Sequence, residues 1–305
     1  MLLSICLDPA RPLVDLRRLA SRAEEAAFAR VFLPDHFMPH HPTRSVPGPV
    51  LECWTALTAL SAATSTIGLG TLVLGNSYRH PAVVANMAAT LDHVSGGRLL
   101  LGLGAGWQPN EHQAYGLELL PTRPRLDRFE EALGVVTLLL GTNPSTFDGD
   151  HYQLTDAWCE PTPIQQPLPI LVGGAGERRS IPLAARYAHA WHAWATPEQF
   201  VLKNLVVDEA CRAIGRAPAE VRRLTGQVVK ISAGTAPAVN DGDIVGDSDH
   251  VVERLWDYAA AGVDEFVVRD HRETPIVEAV ESVERLGSAV VPRLNARPDL
   301  RRGRG

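Results

Sequence analysis

The sequence predicts an α/β protein built as a single (β/α)8 TIM barrel with insertion segments. Short apolar runs alternate eight times with amphipathic helical segments, a pattern that indicates parallel strands joined by right-handed helical crossovers. The run at 99–103 consists only of leucine and glycine, as expected of a strand buried on both faces. The length of 305 residues fits one barrel of about 250 residues with insertions.

The segments after the predicted strands have apolar residues at every third or fourth position, which is typical of helices that pack one face on a sheet. The third helix is expected to begin at Pro81, a favoured first helical position, and to end at Gly96–Gly97. The segment 107–168 exceeds one crossover and predicts a further helix and a small hairpin at 146–152. The predicted strands are 2–7, 31–34, 67–74, 99–103, 170–172, 190–194, 224–232 and 265–268.

The domain organisation follows from the absence of linker-like composition. No Pro-, Ser- or Gly-rich stretch divides the sequence. We therefore predict one barrel domain over residues 1–290 and a basic C-terminal tail at 291–305. An open doubly wound sheet is the alternative, but such a sheet leaves free edges and usually has fewer strands.

Composition and charge narrow the partners and the compartment. Hydrophobic residues make up 45% and charged residues 21%, the balance of an ordinary globular protein. A net charge of −6 gives no general attraction to nucleic acid or to anionic membranes, and we expect neither as a partner. The apolar run Met1–Leu7 is too short for a signal peptide or a membrane span, which predicts a cytoplasmic protein. The four cysteines are widely spaced, so no metal or redox pair is expected.

A carboxylate and an imidazole follow the second predicted strand directly, as Asp35 and His36. Active-site groups of a barrel lie where strands end, and these two side chains suit acid–base chemistry or substrate polarisation. The alternative is a loop pair that caps the next segment. A metal site that adds His40 is a further alternative, although a solvated loop explains that histidine as well.

Two glycine-rich turns follow predicted strands. The fourth strand ends in alternating glycines before Trp107, and glycine lets a flat ligand approach the backbone because it has no Cβ. The turn 173–176 joins the fifth strand to a helix expected near Glu177. Backbone N–H groups at a helix start bind anions such as phosphate, although a tight βα turn is the alternative.

The remaining motifs exclude some classes of enzyme and suggest one wall of the pocket. Trp194 lies nearest the C-terminal end of the sixth strand and is therefore a pocket candidate. The sequence contains no nucleophile elbow, zinc-protease helix motif or phosphate-binding P-loop. This argues against several hydrolase, zinc-protease and kinase classes.

Several segments together resemble the luciferase-like monooxygenase superfamily of flavin and deazaflavin oxidoreductases. The segments are PDHF at 34–37, the long stretch at 69–116, RFEEAL at 128–133, FDGDHYQL at 147–154 and PILVGGAGERRSIPLAARYA at 169–188. The resemblance covers most of residues 1–290 and is closest to the branch that uses coenzyme F420, a deazaflavin.

The resemblance implies a barrel enzyme, usually a homodimer, that binds its cofactor across the strand ends. A non-prolyl cis peptide bond, here Leu72–Val73, would support the flat ring, and His36 beside Asp35 would be the proton donor or a polarising group. Glycines 173 and 174 would hold the phosphate. Because the chain is acidic overall and such a cofactor is anionic, local groups must bind it, and Arg79, Arg178 or Arg179 are the candidate cations to assist the backbone N–H groups. The implied cofactor-binding residues are Asp35, Leu72, Val73, Gly104, Ala105, Gly106, Trp107, Asn110, Gly173, Gly174, Ala175 and Gly176. The expected walls of the substrate pocket are Trp107, Trp194 and Phe37.

The sequence departs from the pattern of this branch at two places. In the deazaflavin-dependent sugar and alcohol dehydrogenases a glutamate follows the fourth-strand glycines as an acid, whereas Trp107 stands here. Those substrates are therefore not expected. Many relatives have Asp-Gly-Trp-Asn at the sixth strand, whereas this sequence has His-Ala-Trp-His at 189–192.

The function expected from the resemblance is hydride transfer between deazaflavin C5 and a small substrate with an electron-poor C=C or C=N bond, with His36 supplying the proton. An FMN-dependent luciferase-like monooxygenase that works with a separate flavin reductase is the first alternative. A metal-dependent barrel hydrolase and a cofactor-free binding protein are the others. The sequence does not identify the substrate.

Overall fold

The computed structural model describes residues 1–39, 46–231, 242–270 and 274–296. The strands are β1 (Leu2–Cys6), β2 (Arg30–Leu33), β3 (Gly68–Thr71), β4 (Leu74–Gly75), β5 (Leu99–Gly104), β6 (Ser145–Asp148), β7 (Gln153–Ala157), β8 (Ile170–Gly173), β9 (Ala190–His192), β10 (Arg222–Gln227), β11 (Val229–Ile231), β12 (Ile244–Gly246) and β13 (Glu265–Arg269). The α-helices are α1 (Leu13–Glu25), α2 (Cys53–Ser61), α3 (Pro81–Ser95), α4 (Pro109–Tyr115), α5 (Thr122–Gly141), α6 (Ser180–Tyr187), α7 (Pro197–Ala213), α8 (Ser248–Ala260), α9 (Ile276–Ala289) and α10 (Val291–Asn295).

The main sheet closes on itself, which confirms the predicted barrel. From β1 the ring runs through β2, β3, β5, β8, β9, β10 and β13 and back to β1. Every one of these pairings is parallel. The open doubly wound sheet is therefore wrong for this chain, because closure pairs every strand of the ring on both sides.

The third strand of the barrel is interrupted. The sequence predicts one strand over 67–74, whereas the structure has β3 and β4 separated by Leu72 and Val73. The peptide bond between these two residues is cis, as the family resemblance implies. Both pieces pair with β5, so the interruption leaves the ring closed.

The buried residues form two layers, and the leucines of β5 belong to both. Leu100 points into the barrel, whereas Leu99 and Leu101 pack against the surrounding helices. This explains the Leu-Gly run, because a strand with both faces buried needs apolar or very small residues throughout. The side chains inside the barrel are Cys6, Phe32, Leu72, Leu100, Leu171, Ala190, Leu224 and Val267.

The insertions agree in part with the prediction. The segment 107–168 contains α4, α5 and the antiparallel hairpin of β6 and β7, as expected. The predicted seventh strand, 224–232, is instead two strands, because β11 leaves the barrel to pair with β12. That partner follows residues 232–241, which lie outside the described residues, and no local pattern in the sequence indicates the pairing.

The predicted basic tail begins as folded structure. Helix α10 buries Val291 and Leu294 in the same core as the barrel helices, because these two side chains lie three positions apart on one helical face. The rest of the tail, 297–305, lies outside the described residues, and the domain boundaries stay a prediction. In the described part of the chain, no helix is both long and apolar enough to span a bilayer.

Candidate active site

A cavity of about 990 Å³ opens at the C-terminal ends of the barrel strands. Barrel enzymes build their active sites at this end, and the volume lies near the upper limit of small-molecule pockets. Most of the predicted site residues meet in its wall. Those that line the cavity are Asp35, His36, Leu72, Val73, Gly104, Ala105, Gly106, Trp107, Gly173, Gly174, Ala175 and Trp194.

Three predicted site residues do not line the cavity. The ring of Phe37 packs between Tyr78 and Tyr115, with ring centroids 4.7 and 5.2 Å away. The amide of Asn110 lies 3.8 Å from the sulfur of Met38. Gly176 accepts a hydrogen bond from the backbone of the following helix. These residues are turned away from the cavity wall, although Met38 and Pro39, further along the loop after β2, line the cavity again.

His36 is held by a buried carboxylate that the sequence reasoning did not assign to the site. Glu111, on α4, has no solvent exposure, and its Oε2 lies 3.0 Å from Nδ1 of His36. Tyr78 donates its O–H to the same oxygen at 2.6 Å. The other oxygen, Oε1, accepts the backbone N–H groups of Phe37 and Met38. Glu111 therefore joins the loop after β2 to the helix after β5.

The electrostatics keep Glu111 ionised. Burial alone would raise the pKa of its carboxyl, but the hydrogen bonds from His36, Tyr78 and the Phe37 backbone outweigh burial and lower it. Burial and the bond to Glu111 raise the pKa of Tyr78, which therefore remains a donor. A carboxylate at Nδ1 fixes that nitrogen as the protonated one. Because His36 lines the cavity, Nε2 is the nitrogen available for proton transfer.

Asp35 occupies a different environment from its neighbour. It is 3% exposed, and its two oxygens accept hydrogen bonds from the two terminal nitrogens of Arg79, at 2.7 and 3.0 Å. One oxygen also accepts the backbone N–H of Gly75 in β4. Arg79 pairs in addition with Glu52 at 2.5 Å. Asp35 thus holds the interrupted third strand in place. Two carboxylates already pair with Arg79, one of the three arginines expected to help bind an anionic cofactor.

The glycines at the ends of β5 and β8 make room for Val73. A Cβ on Gly104 would lie 2.7 Å from one methyl of Val73, and a Cβ on Gly173 would lie 3.0 Å from the other. Contacts this short force a neighbour to move. The glycines therefore have a packing role that the sequence reasoning missed: they let the side chain of Val73 reach the floor of the cavity between two strands.

The loop after β8 differs from the predicted anion site. Helix α6 begins at Ser180 rather than near Glu177, and the N–H of Gly174 is bonded to the His192 carbonyl at 3.0 Å. Gly174 has φ +141°, a value that residues with a side chain rarely adopt. Arg179, one of the predicted anion-binding cations, pairs with Asp127 at 2.6 Å instead. The N–H group of Gly174 and the guanidinium group of Arg179, both predicted to bind an anion, are therefore already bonded to other residues of the protein.

The cavity wall also contains side chains that no motif indicated. Arg125, in the first turn of α5, lines the cavity, and its Nε is buried with no hydrogen-bond partner among the described residues. His192 and Arg269 line the opposite wall. His192 lies two positions after an inward-facing alanine of β9, so strand alternation alone could have assigned it to the interior.

The described residues contain no group of three or more His, Cys, Asp or Glu side chains placed to hold a metal ion. His40, which the hydrolase alternative requires, lies outside them. The cysteines Cys6, Cys53, Cys159 and Cys211 are all buried and free, and burial raises the pKa of Cys6, which lines the cavity, to about 12.

Comparison with known proteins identifies the family. A family model described as luciferase-like monooxygenase matches residues 5–241, which is more than half of the chain. The chain belongs to this family, and the resemblance inferred from its motifs is confirmed.

Two curated relatives give the range of similarity. An uncharacterised protein of Mycobacterium tuberculosis is 32% identical over 185 residues, which cover 56% of this chain and 64% of the relative. The F420-dependent glucose-6-phosphate dehydrogenase of Beutenbergia cavernae is 28% identical over 329 residues, covering 93% of this chain and 94% of that enzyme. The match to the mycobacterial protein thus spans less than two thirds of its length.

Solved structures share the whole fold. The coenzyme F420-dependent tetrahydromethanopterin reductase of Methanopyrus kandleri superposes with a TM-score of 0.80 at 21% identity, covering 95% of this chain and 98% of that one. The monooxygenase RslO1 of Streptomyces bottropensis superposes with a TM-score of 0.83 at 21% identity, covering 96% and 100%. At these identities the likeness establishes the fold alone.

Proposed function

We propose that this chain is an F420-dependent oxidoreductase that transfers a hydride between C5 of the deazaflavin and a small substrate with an activated C=C or C=N bond. The observation that carries the proposal is His36, oriented by the buried carboxylate of Glu111 in the wall of a barrel-mouth cavity. Relatives named F420-dependent glucose-6-phosphate dehydrogenase, from several organisms, support the choice of cofactor.

The residues of the cavity fit such a cofactor. Val73 offers an apolar surface to one face of a flat ring, between Gly104 and Gly173. Arg125 offers a cation with an unbonded Nε, and a deazaflavin with a phosphate and an acidic tail is anionic. Ser180 lines the same cavity and adds a hydroxyl at the start of α6. Arg125 therefore replaces Arg79 and Arg179 as the proposed partner of the phosphate region.

The protein contributes orientation and proton transfer. When bound, F420 supplies or accepts the hydride. His36 gives a proton from Nε2 to the substrate atom that gains electron density, or removes one in the reverse direction. Glu111 stabilises the imidazolium form during this step, and Tyr78 keeps the carboxylate fixed. The Trp107 ring meets His36 edge-on at 5.8 Å and limits access of water from the rim.

The substrate proposal rests on where carboxylates lie. The site contains a carboxylate, because Glu111 lies beside His36. Position 107, where the sugar and alcohol dehydrogenases of the resembled branch have a glutamate, is a tryptophan in this chain. Glu111 is fully buried and does not line the cavity. It therefore cannot take a proton directly from a bound alcohol, and we propose that sugars and alcohols are not substrates. The homodimeric state and the cytoplasmic location stay predictions.

A second candidate, an FMN-dependent monooxygenase, is favoured by other structural neighbours. These include RslO1 and a riboflavin lyase in complex with a modified FMN, the latter with a TM-score of 0.82 at 14% identity. Both candidates use the same barrel mouth, so the choice of cofactor separates them.

Fluorescence titration with oxidised F420 and with FMN, side by side, tests the proposal. We expect F420 to bind with a micromolar or lower dissociation constant and FMN to bind weakly. The substitution Arg125→Gln should weaken F420 binding about tenfold, since it removes a charged hydrogen-bond donor. Arg186→Gln is the matched control, because Arg186 is 62% exposed and outside the cavity wall. Tight FMN binding without F420 binding would overturn the proposal in favour of the monooxygenase.

A further inference from the structure

The residues on the inner face of the barrel are apolar in the interior and change to glycine or polar residues at the mouth. Inside the barrel the layer is apolar, and strand alternation puts the next inward position two residues further along each strand. On β8 and β10 that position is glycine, Gly173 and Gly226. On β9 and β13 it is a polar residue, His192 and Arg269. A Cβ on Gly173 would meet Val73 and one on Gly226 would meet the ring of Trp194, and the two polar side chains line the cavity beside these residues.

His192 has a buried nitrogen without a partner. The residue is 4% exposed and lines the cavity, and its Nε2 forms no hydrogen bond to any residue that the structure describes. Its ring meets Trp194 edge-on at 4.5 Å, and Arg269 lies over Trp194 at 5.0 Å. Buried polar atoms are nearly always bonded. An unbonded one in a cavity wall therefore indicates a group that binds a ligand.

The imidazole of His192 is uncharged. Burial, together with the positive charge of Arg269, lowers its pKa to about 3. A neutral imidazole has one N–H donor and one lone pair. It therefore suits an uncharged heteroatom, such as a ring carbonyl or ring nitrogen, rather than a carboxylate or phosphate.

His192 is also close to the proposed ring-binding surface. It pairs in register with Gly173 on the neighbouring strand, and Gly173 lies against Val73. The Val73 side chain therefore contacts β8, the strand next to the one that carries His192.

We propose that His192 is a cofactor-recognition residue, whose Nε2 forms a hydrogen bond with an uncharged polar atom on the edge of the bound flavin-type ring. The inference rests on the proposed function and extends it to His192 on β9. This residue stands where the resembled pattern Asp-Gly-Trp-Asn has its asparagine.

Two substitutions test this role by binding and stability together. His192→Phe removes the polar atom and keeps a ring, so F420 affinity should fall about tenfold. The melting temperature of the ligand-free protein should stay the same or rise, because a buried unbonded atom is removed. His192→Asn restores hydrogen bonding and should bind F420 within about threefold of wild type. Unchanged affinity in His192→Phe would overturn the inference.

His112, a buried histidine on α4, provides a matched control. Both ring nitrogens of His112 are bonded, to Ser77 at 2.6 Å and to the Gln108 carbonyl at 2.7 Å. His112→Phe should therefore lower the melting temperature, the opposite sign to His192→Phe. A lowered melting temperature in both variants would assign His192 a structural role and overturn the inference.

A spectroscopic measurement covers the case in which His192→Phe does not fold. In wild-type protein labelled with ¹⁵N-histidine, the Nε2 resonance of His192 should shift when F420 is added, and an unmoved resonance overturns the inference. If the wild type binds FMN and not F420, the proposed function fails, and the same variants titrated with FMN decide the inference separately. If neither cofactor binds, both fail.

Discussion

The two sides of the cavity differ in how completely their polar groups are bonded within the protein. On the side of β2 and β5, Glu111 accepts hydrogen bonds from His36, Tyr78 and two backbone N–H groups. On the side of β9 and β13, the Nε2 of His192 has no partner in the described part of the chain. The protein alone holds the proton-transfer group of the first side, whereas we propose that the partner of His192 on the second side is the bound cofactor.

The difference in bonding between His36 and His192 matches the different roles that we propose for them, proton transfer for His36 and cofactor recognition for His192. A group that transfers a proton must keep one tautomer and one orientation throughout the reaction, and the buried carboxylate provides this for His36. A group that recognises a ligand gains affinity when its own bond is made only on binding. The same residue type therefore serves two purposes, because one histidine lies beside a carboxylate and the other beside Arg269.

The largest expected effect is on the bonded side. Glu111→Ala leaves four donors without their acceptor in a buried site, and we expect the free energy of unfolding to fall by about 3 kcal/mol. Urea denaturation measures the change. Glu118→Ala is the control, since Glu118 is 70% exposed and 3.8 Å from its partner Arg128. A loss below about 1 kcal/mol would show that the cluster does not organise this wall by itself.

The pH dependence of stability sharpens the comparison on the other side. The folded-state pKa of His192, about 3, lies below its ordinary value of 6.5. Between these values the unfolded chain binds a proton that the folded protein does not. The contribution of His192 to the free energy of unfolding is therefore fully present above pH 6.5. It decreases on acidification by about 1.4 kcal/mol for each pH unit, which amounts to a loss of roughly 2 kcal/mol at pH 5.

Unfolding curves of wild type and His192→Phe at pH 7 and pH 5 measure this contribution. The variant has no imidazole at this position, so it should lose about 2 kcal/mol less than wild type between the two pH values. Parallel losses in the two proteins would contradict a neutral, buried His192.

Crowding the floor between the two sides should have a smaller effect on stability. Gly173→Ala adds a Cβ 3.0 Å from Val73, and we expect a loss of about 1 kcal/mol from overpacking together with weaker F420 binding. Gly141→Ala is the control, because a Cβ there meets no atom within 4 Å. Thermal unfolding and the F420 titration measure both quantities. Unchanged values for Gly173→Ala would mean that Val73 can move without consequence.

The smallest expected effect on stability is at the rim. Trp107 is 51% exposed, so Trp107→Ala should change the free energy of unfolding by no more than about 0.5 kcal/mol. Trp191 offers a matched comparison: it is fully buried, its indole N–H donates to the Gly174 carbonyl, and its replacement by alanine should cost about 3 kcal/mol or more. A loss above about 1 kcal/mol in Trp107→Ala would assign that ring to the fold rather than to the cavity rim.

Local patterns predicted the parts of the fold that depend on neighbouring residues. Helix α3 begins at Pro81 and ends before Gly96 as expected, because a proline start and a left-handed glycine end are properties of the residues themselves. The start of α6 could not be predicted in the same way. Arg179 precedes that helix in a non-helical conformation while its side chain pairs with Asp127, 52 positions earlier in the chain.

The sequence by itself determined the eightfold alternation of strands and helices, the barrel and the family to which the chain belongs, but not the interruption of the third strand or the division of the seventh. The alternation, the barrel and the family follow from hydrophobic periodicity and from short motifs, which are local. The tertiary structure alone decided which polar groups are bonded. His36 and Glu111 are 75 positions apart in the sequence, and the unbonded state of His192 is a property of everything packed around it. Hydrogen-bond partners depend on distances in space, and barrel closure brings together side chains that no sequence spacing relates.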